Sequence, residues 1–387
     1  MSQILRAARL FTGSELLGNA WLEIADGRIA AVGTGPAPDG PVTDLGDVLL
    51  APGYVDIHCH GGGGAAYGAP GEQGIADART ILATHLRTGT TTMVASLVTG
   101  KIDQLAQSVR TLGPLVADDT LAGVHLEGPW LAHSHKGAHE ESLLVAPTPA
   151  DIAEVFDAYP GTVKMVTIAP ELEGGLASIK DFADRGAIAA VGHTGADYDM
   201  AGTAIDAGAT NVTHLFNGMS PIHHRNPGPV IKFLEDERIT IELIADGVHS
   251  HPAMLAHAAR CAGPDRVLLV TDAMAATGMS DGEYLLGSLT VVVEGAVARL
   301  KSDGPELGSI AGSTLTMERA VQFSVQEAGL DLAAALRAAT AVPALALGRT
   351  DIGHLAAGAK ANLVVLDGDL AVTRVYQDGD LVVDSHA

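Results

Sequence analysis

The residues best suited to chemistry sit at the ends of short apolar runs. His58 and His60 close the run VDIHCHGGGG. Strand alternation there points both imidazoles to one face and Cys59 to the other, so Cys59 reads as a packed small residue. The glycines that follow let backbone or ligand approach without side-chain clash. An HxH pair also occurs in ordinary hydrogen-bonded settings, and it gains weight from Glu127 in GVHLEGPW, His193 in AAVGHTG and His214 in NVTHLFNGM. Any one of these alone reads as a capping or loop residue. As a set, a carboxylate that offsets cation charge and imidazoles that bind a borderline metal point to a hydrolytic metal site with a position left for water. Asp272 stands in VLLVTDAMAATG, a stretch without a basic residue. A carboxylate there can take a proton from a water whose pKa a metal lowers toward about 7, and later deliver it to a leaving group. Its structural alternative is an N-cap for the next segment.

These residues work together only in a frame that gathers strand ends. β-branched runs at 54–57, 90–95, 121–126, 163–168, 187–191, 210–213, 239–245 and 267–271 are separated by stretches of helical periodicity such as GIADARTILATHLRTG. Nearly continuous apolar strands alternating with helices imply a parallel sheet covered on both faces. Eight such units predict an α/β protein built on a (β/α)8 TIM barrel, with its chemistry at the C-terminal strand ends. The flanks differ, since residues 1–50 and 345–387 carry short strands separated by ADG, LDG and QDG turns, an antiparallel signature. The economical reading is a small β-sandwich domain built from both chain ends, with the barrel of residues 51–344 inserted between them. Segments 312–329 and 332–341 read as helices that close the barrel, the first ended by Gly329 and the second by Pro343.

Composition narrows the function classes. The chain has 387 residues, 47% of them apolar, enough for a large core. With 23 basic and 46 acidic residues the net charge is -23, which repels phosphate backbones and argues against nucleic-acid binding. Two cysteines make no disulfide framework, the start MSQILRAARLFTG lacks a secretory pattern, and no apolar run approaches membrane-spanning length. These features predict a soluble, cytoplasmic protein without a membrane partner. Thirteen of the 16 histidines lie between positions 58 and 251; His251, His257, His354 and His386 read as solvated by default.

The combination DIHCHG, HLEGPW, KGAH, VGHT, THLFNGM, IADGVH and VTDAM resembles the N-acetylglucosamine-6-phosphate deacetylases of the amidohydrolase superfamily along essentially the whole chain. HxH with a strand-end Asp marks the superfamily; HLEGPW, with Glu where many relatives use a modified lysine, and THLFNGM narrow it. The resemblance implies a divalent metal held by Glu127, His193 and His214. It implies a second ion at His58 and His60, with Glu127 bridging, in members that keep both histidines. Zinc comes first, with iron, manganese, cobalt and cadmium as alternatives. His139 in KGAH, beside Ala138, is implied to hydrogen-bond the acetamide carbonyl and stabilise the oxyanion. Asn217 and Gly218 are implied to lie at the sugar phosphate, and Arg225 in PIHHRNPGP to bind it from the neighbouring subunit, so that the protein is a homodimer. His249 and the backbone at Ile310, Ala311 and Gly312 complete the implied substrate contacts. His133, His135, His223 and His224 receive no role.

The implied reaction is hydrolysis of the acetamide of N-acetyl-D-glucosamine 6-phosphate to glucosamine 6-phosphate and acetate, in amino-sugar catabolism and cell-wall recycling, with Asp272 as base and then acid. The rivals are the galactosamine epimer, a cyclic amide, and a barrel that senses amino-sugar phosphates without turnover. The phosphate-side residues argue against the cyclic amide, and retention of Asp272 argues against the sensor.

Overall fold

The computed structural model describes residues 3–302 and 308–385; His386 lies outside them. The eight apolar runs form the strands Tyr54–Cys59, Thr90–Val98, Gly123–Glu127, Val163–Ile168, Ile188–Val191, Asn211–Val212, Thr240–Ile244 and Val267–Val270. Each pairs in parallel with its successor in sequence. The ring closes where Cys59 bridges Ala273. There the Asp272 N–H donates to His58 O at 2.9 Å and the His60 N–H to Ala273 O at 2.8 Å. The ends of the first and last strands are therefore hydrogen-bonded neighbours, and backbone pairing alone brings His58, His60 and Asp272 together.

Every residue of Tyr54–Cys59 and of Val267–Val270 is buried, as a parallel sheet roofed by helices requires. The helices start and stop on local signals. Thr148 accepts from the Asp151 N–H ahead of Pro149, Asp197 accepts from the Met200 N–H, and left-handed Gly208 ends the helix Tyr198–Ala207. Phe182, from the helix Gly175–Asp184, stacks on Trp130 and Phe156 with centroids 5.5 and 5.8 Å away. Among the described residues no helix is long and apolar enough to cross a membrane.

The chain ends meet as expected, and their hydrogen bonding is continuous. Strands Gln3–Phe11, Leu16–Ala25, Arg28–Thr34, Val42–Asp44 and Leu49–Pro52 from the N-terminal side join Leu363–Leu366, Val372–Gln377 and Asp380–Asp384 in one eight-stranded sheet. The junction is the antiparallel pairing of Leu49–Pro52 with Leu363–Leu366. Leu5, Leu10, Leu22, Leu50, Leu363 and Tyr376 share the core of this unit. The ADG and QDG turns behave as read: φ is positive at Asp26 and Gly27 (51° and 74°) and at Asp378 and Gly379 (47° and 85°), the pattern of a tight twisted hairpin.

Two expectations change. The helix expected over 312–329 is Met317–Gln326, because Thr316 caps it by accepting from the Arg319 N–H while 309–313 run as irregular chain against the insertion described next. Pro343 does not end a helix. The break comes at Thr340 (φ -134°), and Pro343 sits in the first turn of a separate helix, Ala341–Ala346, where its missing N–H leaves no bond unmade. The sequence reading also assigned nothing to 282–300. That stretch forms three antiparallel strands, Gly282–Leu286, Leu289–Glu294 and Val297–Leu300, packed through Leu286, Val291, Val293 and Ala298 onto Met274 and Ala311.

Phe182→Ala is expected to destabilise the barrel by about 3–5 kcal/mol, read as a lowered midpoint in chemical denaturation; an unchanged midpoint would contradict the packing described.

Candidate metal centre and substrate cavity

Glu127 ends the third barrel strand, and its carboxylate faces imidazoles on both oxygens. Oε1 lies 3.2 Å from His193 Nε2 and 3.0 Å from His214 Nε2. Oε2 lies 3.0 Å from His60 Nε2, 3.7 Å from His58 Nε2 and 3.5 Å from His139 Nε2. Asp272 closes the second half, with Oδ1 3.3 Å from His60 Nε2 and 3.5 Å from His58 Nε2. All of these residues are buried.

The other side of three of these rings fixes the tautomer, while His214 Nδ1 has no partner among the described residues. His58 Nδ1–H donates to Glu242 Oε2 at 3.0 Å, His60 Nδ1–H to Ser96 O at 3.1 Å and His193 Nδ1–H to His135 O at 2.8 Å. With Nδ1 occupied by an acceptor, each neutral ring turns an Nε2 lone pair toward Glu127. Paired Nε2 atoms then confront one another at 3.1 Å, His58 with His60 and His193 with His214. Such facing donors suit a shared cation, since ligands bound tetrahedrally at about 2.0–2.1 Å are separated by about 3.4 Å. The donor set fits a divalent metal. Glu127, His193 and His214 would hold one ion; His58 and His60, with Glu127 Oε2 and Asp272, would hold a second.

Electrostatics agree. Burial opposes charge on Glu127, yet the neighbouring imidazoles, His58 foremost, hold its carboxyl well below the usual range. Burial likewise opposes charge on Asp272, but His58 and His60 bring it to about 2. His60 is pushed up to about 9, because hydrogen bonds to Asp272 and Glu127 outweigh desolvation. Without a cation the site thus draws in protons as substitute positive charge. His139 differs: burial pushes it down to about 3 against the pull of Glu127, so it is a neutral ring, bonded through Nδ1 to Thr99 Oγ1 at 2.8 Å.

Above this cluster opens a cavity of about 400 Å³ lined by His60, Glu127, Ala138, His139, His193, His214, Asn217, Gly218, His249, Asp272, Ile310 and Gly312. Gly218 has φ of 60°, and a Cβ there would come within 2.9 Å of His193 Nδ1. His249 is held by Asp246, whose Oδ2 accepts from Nδ1–H at 2.7 Å.

Two of the sequence-derived substrate contacts are not part of this lining. Ala311 faces the small core of the insertion, and its N–H is used by Ala298 O at 3.0 Å, because its neighbours Ile310 and Gly312 take the cavity side. Arg225 is exposed on the loop after residue 220, beside His224 at 2.9 Å, and does not line the cavity of its own chain. His133 and His257 are exposed, while His251 caps its helix by accepting from the Ala253 N–H.

Residues 49–385 match the amidohydrolase family. The chain belongs to that family. Over 387 residues it is 36% identical to the N-acetylgalactosamine-6-phosphate deacetylase of Escherichia coli O157:H7, covering 98% of this chain and 99% of that one. It is 32% identical to the N-acetylglucosamine-6-phosphate deacetylase of Bacillus subtilis, covering 98% and 97%. Among solved structures, a mutant N-acetyl-D-glucosamine-6-phosphate deacetylase of Mycobacterium smegmatis in complex with N-acetyl-D-glucosamine-6-phosphate superposes with a TM-score of 0.94 at 47% identity, covering 99% of each chain.

As an amidohydrolase, the protein is a metal-dependent hydrolase acting on an amide, and several residues that serve this site escaped the sequence reading. Glu242 is fully buried and also accepts from Asn211 Nδ2 at 2.7 Å and the His214 N–H at 3.1 Å. Its signal was a carboxylate inside the apolar strand 240–244. His125 bonds Ser96 Oγ at 2.9 Å and Thr167 Oγ1 at 2.8 Å beneath the cluster. Asp56, pushed up to about 6 by burial, accepts from Thr271 Oγ1 at 2.6 Å.

Glu127→Gln is expected to weaken metal retention in both halves by more than about tenfold, whereas His60→Asn should leave the His193 and His214 half loaded. Metal content after chelation and reconstitution reads both. Full stoichiometry in Glu127→Gln would contradict the shared-carboxylate geometry.

Proposed function

We propose that the protein is an N-acetylglucosamine-6-phosphate deacetylase that releases acetate and leaves glucosamine 6-phosphate. The observation that carries this reading is the meeting of Asp272, neutral His139 and the Glu127-centred donor set on one cavity, in a chain 47% identical to a solved deacetylase bound to that sugar. A cation held by the donor set supplies Lewis acidity and lowers the pKa of the attacking water. Asp272, ionised, accepts a proton as the water oxygen bonds to the acetamide carbon. It then returns that proton to nitrogen as the C–N bond breaks. His139 hydrogen-bonds the carbonyl oxygen as charge develops there. That task needs Nε2–H, hence an Nδ1 that accepts from the Thr99 hydroxyl.

Ala138, Asn217, Gly218, His249, Ile310 and Gly312 surround the sugar in this reading, and Arg225 reaches the phosphate of a neighbouring subunit in a homodimer. Its exposure, together with that of Ile222 on the same loop at 41%, supports a role outside its own chain. Zinc suits the imidazole and carboxylate donors best. Residues 1–50 and 345–387 serve as the β domain and 51–344 as the catalytic barrel, in a cytoplasmic enzyme whose cysteines Cys59 and Cys261 are free. The E. coli relative, named for the galactosamine epimer at 36% identity, keeps that sugar as a second reading.

Acetate release from the two 6-phosphates and from unphosphorylated N-acetylglucosamine, with and without chelator and metal restoration, tests the proposal. Metal-dependent turnover is expected to be fastest with the glucosamine 6-phosphate; faster turnover of the epimer would transfer the assignment. Asp272→Asn should keep the fold and the ion held by Glu127, His193 and His214 while kcat falls by about 10²–10⁴, and a near-normal rate would remove Asp272 from the mechanism. Arg225→Ala should raise KM for the phosphorylated sugar alone.

A further inference from the structure

The cavity wall contains a cation that neither the motifs nor the mechanism uses. Arg299 lies on Val297–Leu300, the last strand of the insertion. Ala298 on that strand packs inward with Val291, Val293 and Ala311, and strand alternation turns Arg299 the opposite way, where it lines the same cavity as Glu127, His139 and Asp272. Its position is fixed on both sides. Arg299 pairs with Val292 within the insertion and bridges Ile310 across from it, while the Leu300 N–H donates to Ser309 O at 2.9 Å.

Among the described residues lining this cavity Arg299 is the sole Lys or Arg. It is also short of partners. Its guanidinium makes one hydrogen bond among the described residues, Nη1–H to Gly308 O at 3.3 Å, and no carboxylate stands within ion-pair distance of it there. A chain with 46 acidic and 23 basic residues offers ample carboxylates, yet this half-buried fork of five N–H donors is left largely unengaged beside a cavity. The charges around it make that costly for an anionic substrate to do without. The carboxylates of Glu127 and Asp272 line the same cavity, and the other arginine assigned to phosphate, Arg225, is absent from the lining of its own chain.

We propose that Arg299 binds the anionic group of the substrate from within the same subunit, so that the insertion 282–300 is a specificity element selecting for an oxyanion such as a phosphomonoester. The assignment rests on the deacetylase reading and extends it. A planar guanidinium can hold a phosphoryl group through two parallel N–H bonds, and a rigid strand pinned to 309–311 presents that fork without a loop having to close.

Arg299→Gln and Arg299→Lys holoenzymes, checked for metal content and circular dichroism, are assayed with N-acetylglucosamine 6-phosphate and with the unphosphorylated sugar. Inorganic phosphate serves as a competitive probe. The Gln variant is expected to raise KM for the phosphorylated substrate and Ki for phosphate by roughly tenfold or more, with kcat and the unphosphorylated substrate within about threefold. Lys should recover part of the loss, because it restores charge without the fork. If the Gln variant does not fold, the Lys variant carries the test through a smaller rise in KM confined to the phosphorylated sugar. Equal losses on both sugars, or an unchanged KM and Ki, would overturn the assignment. A wild-type enzyme with no preference for phosphate would instead overturn the deacetylase reading, so the two failures are separable.

Discussion

A single carboxylate, that of Glu127, organises the catalytic face. Among the described residues it is the one buried anion in contact with His58, His60, His139, His193 and His214 at once, at 3.0–3.7 Å. Five imidazoles converge on it from different barrel strands and loops, and each would be costly to bury without an acceptor or a cation. The arrangement holds because the charge is completed from both sides. Outward, Glu242, Ser96 O and His135 O receive the Nδ1 protons; inward, the Nε2 lone pairs face the space between the rings. Without a metal the cluster gathers protons, and with one it is neutralised by the ion, so metal binding and the integrity of this face are coupled.

Barrel closure is the second condition. The bond from the Asp272 N–H to His58 O and the bridge between Cys59 and Ala273 place the Asp272 carboxylate beside the HxH pair. Asp56 reinforces the seam from below by accepting from the Thr271 hydroxyl, with its own carboxyl pushed up to about 6 by burial. A chain of polar side chains, Ser96, His125, Thr167 and Thr213, continues under the cluster at 2.7–2.9 Å. Satisfied networks of this kind hold a buried site in one geometry.

The cavity draws on a second layer as well. The barrel supplies the metal donors and Asp272, but the cavity is roofed by the insertion 282–300 and the strip 309–312, which the small core of Leu286, Val291, Val293, Ala298 and Ala311 locks together. One cavity is therefore bounded by two separately packed units, the barrel with its loops and the insertion.

The sequence by itself determined the periodicity of eight parallel strands, the split β unit and the strand-end positions of His58, His60, Glu127, His193, His214 and Asp272, because alternation and apolar runs are local properties that survive without knowledge of contacts. It also carried the two Asp-Gly hairpins, whose positive φ values follow from residue type. Tertiary structure alone decided what lies far apart in sequence. The Nδ1 acceptors of the histidines, 184 residues away in the case of Glu242 and His58, have no local signature beyond a carboxylate in an apolar strand. The same holds for the inward turn of Ala311, the outward placement of Arg225, and Arg299 in the cavity wall. Each depends on which face of one element meets another, and pairing between segments separated by tens to hundreds of residues is set by packing and closure, which a linear pattern does not encode.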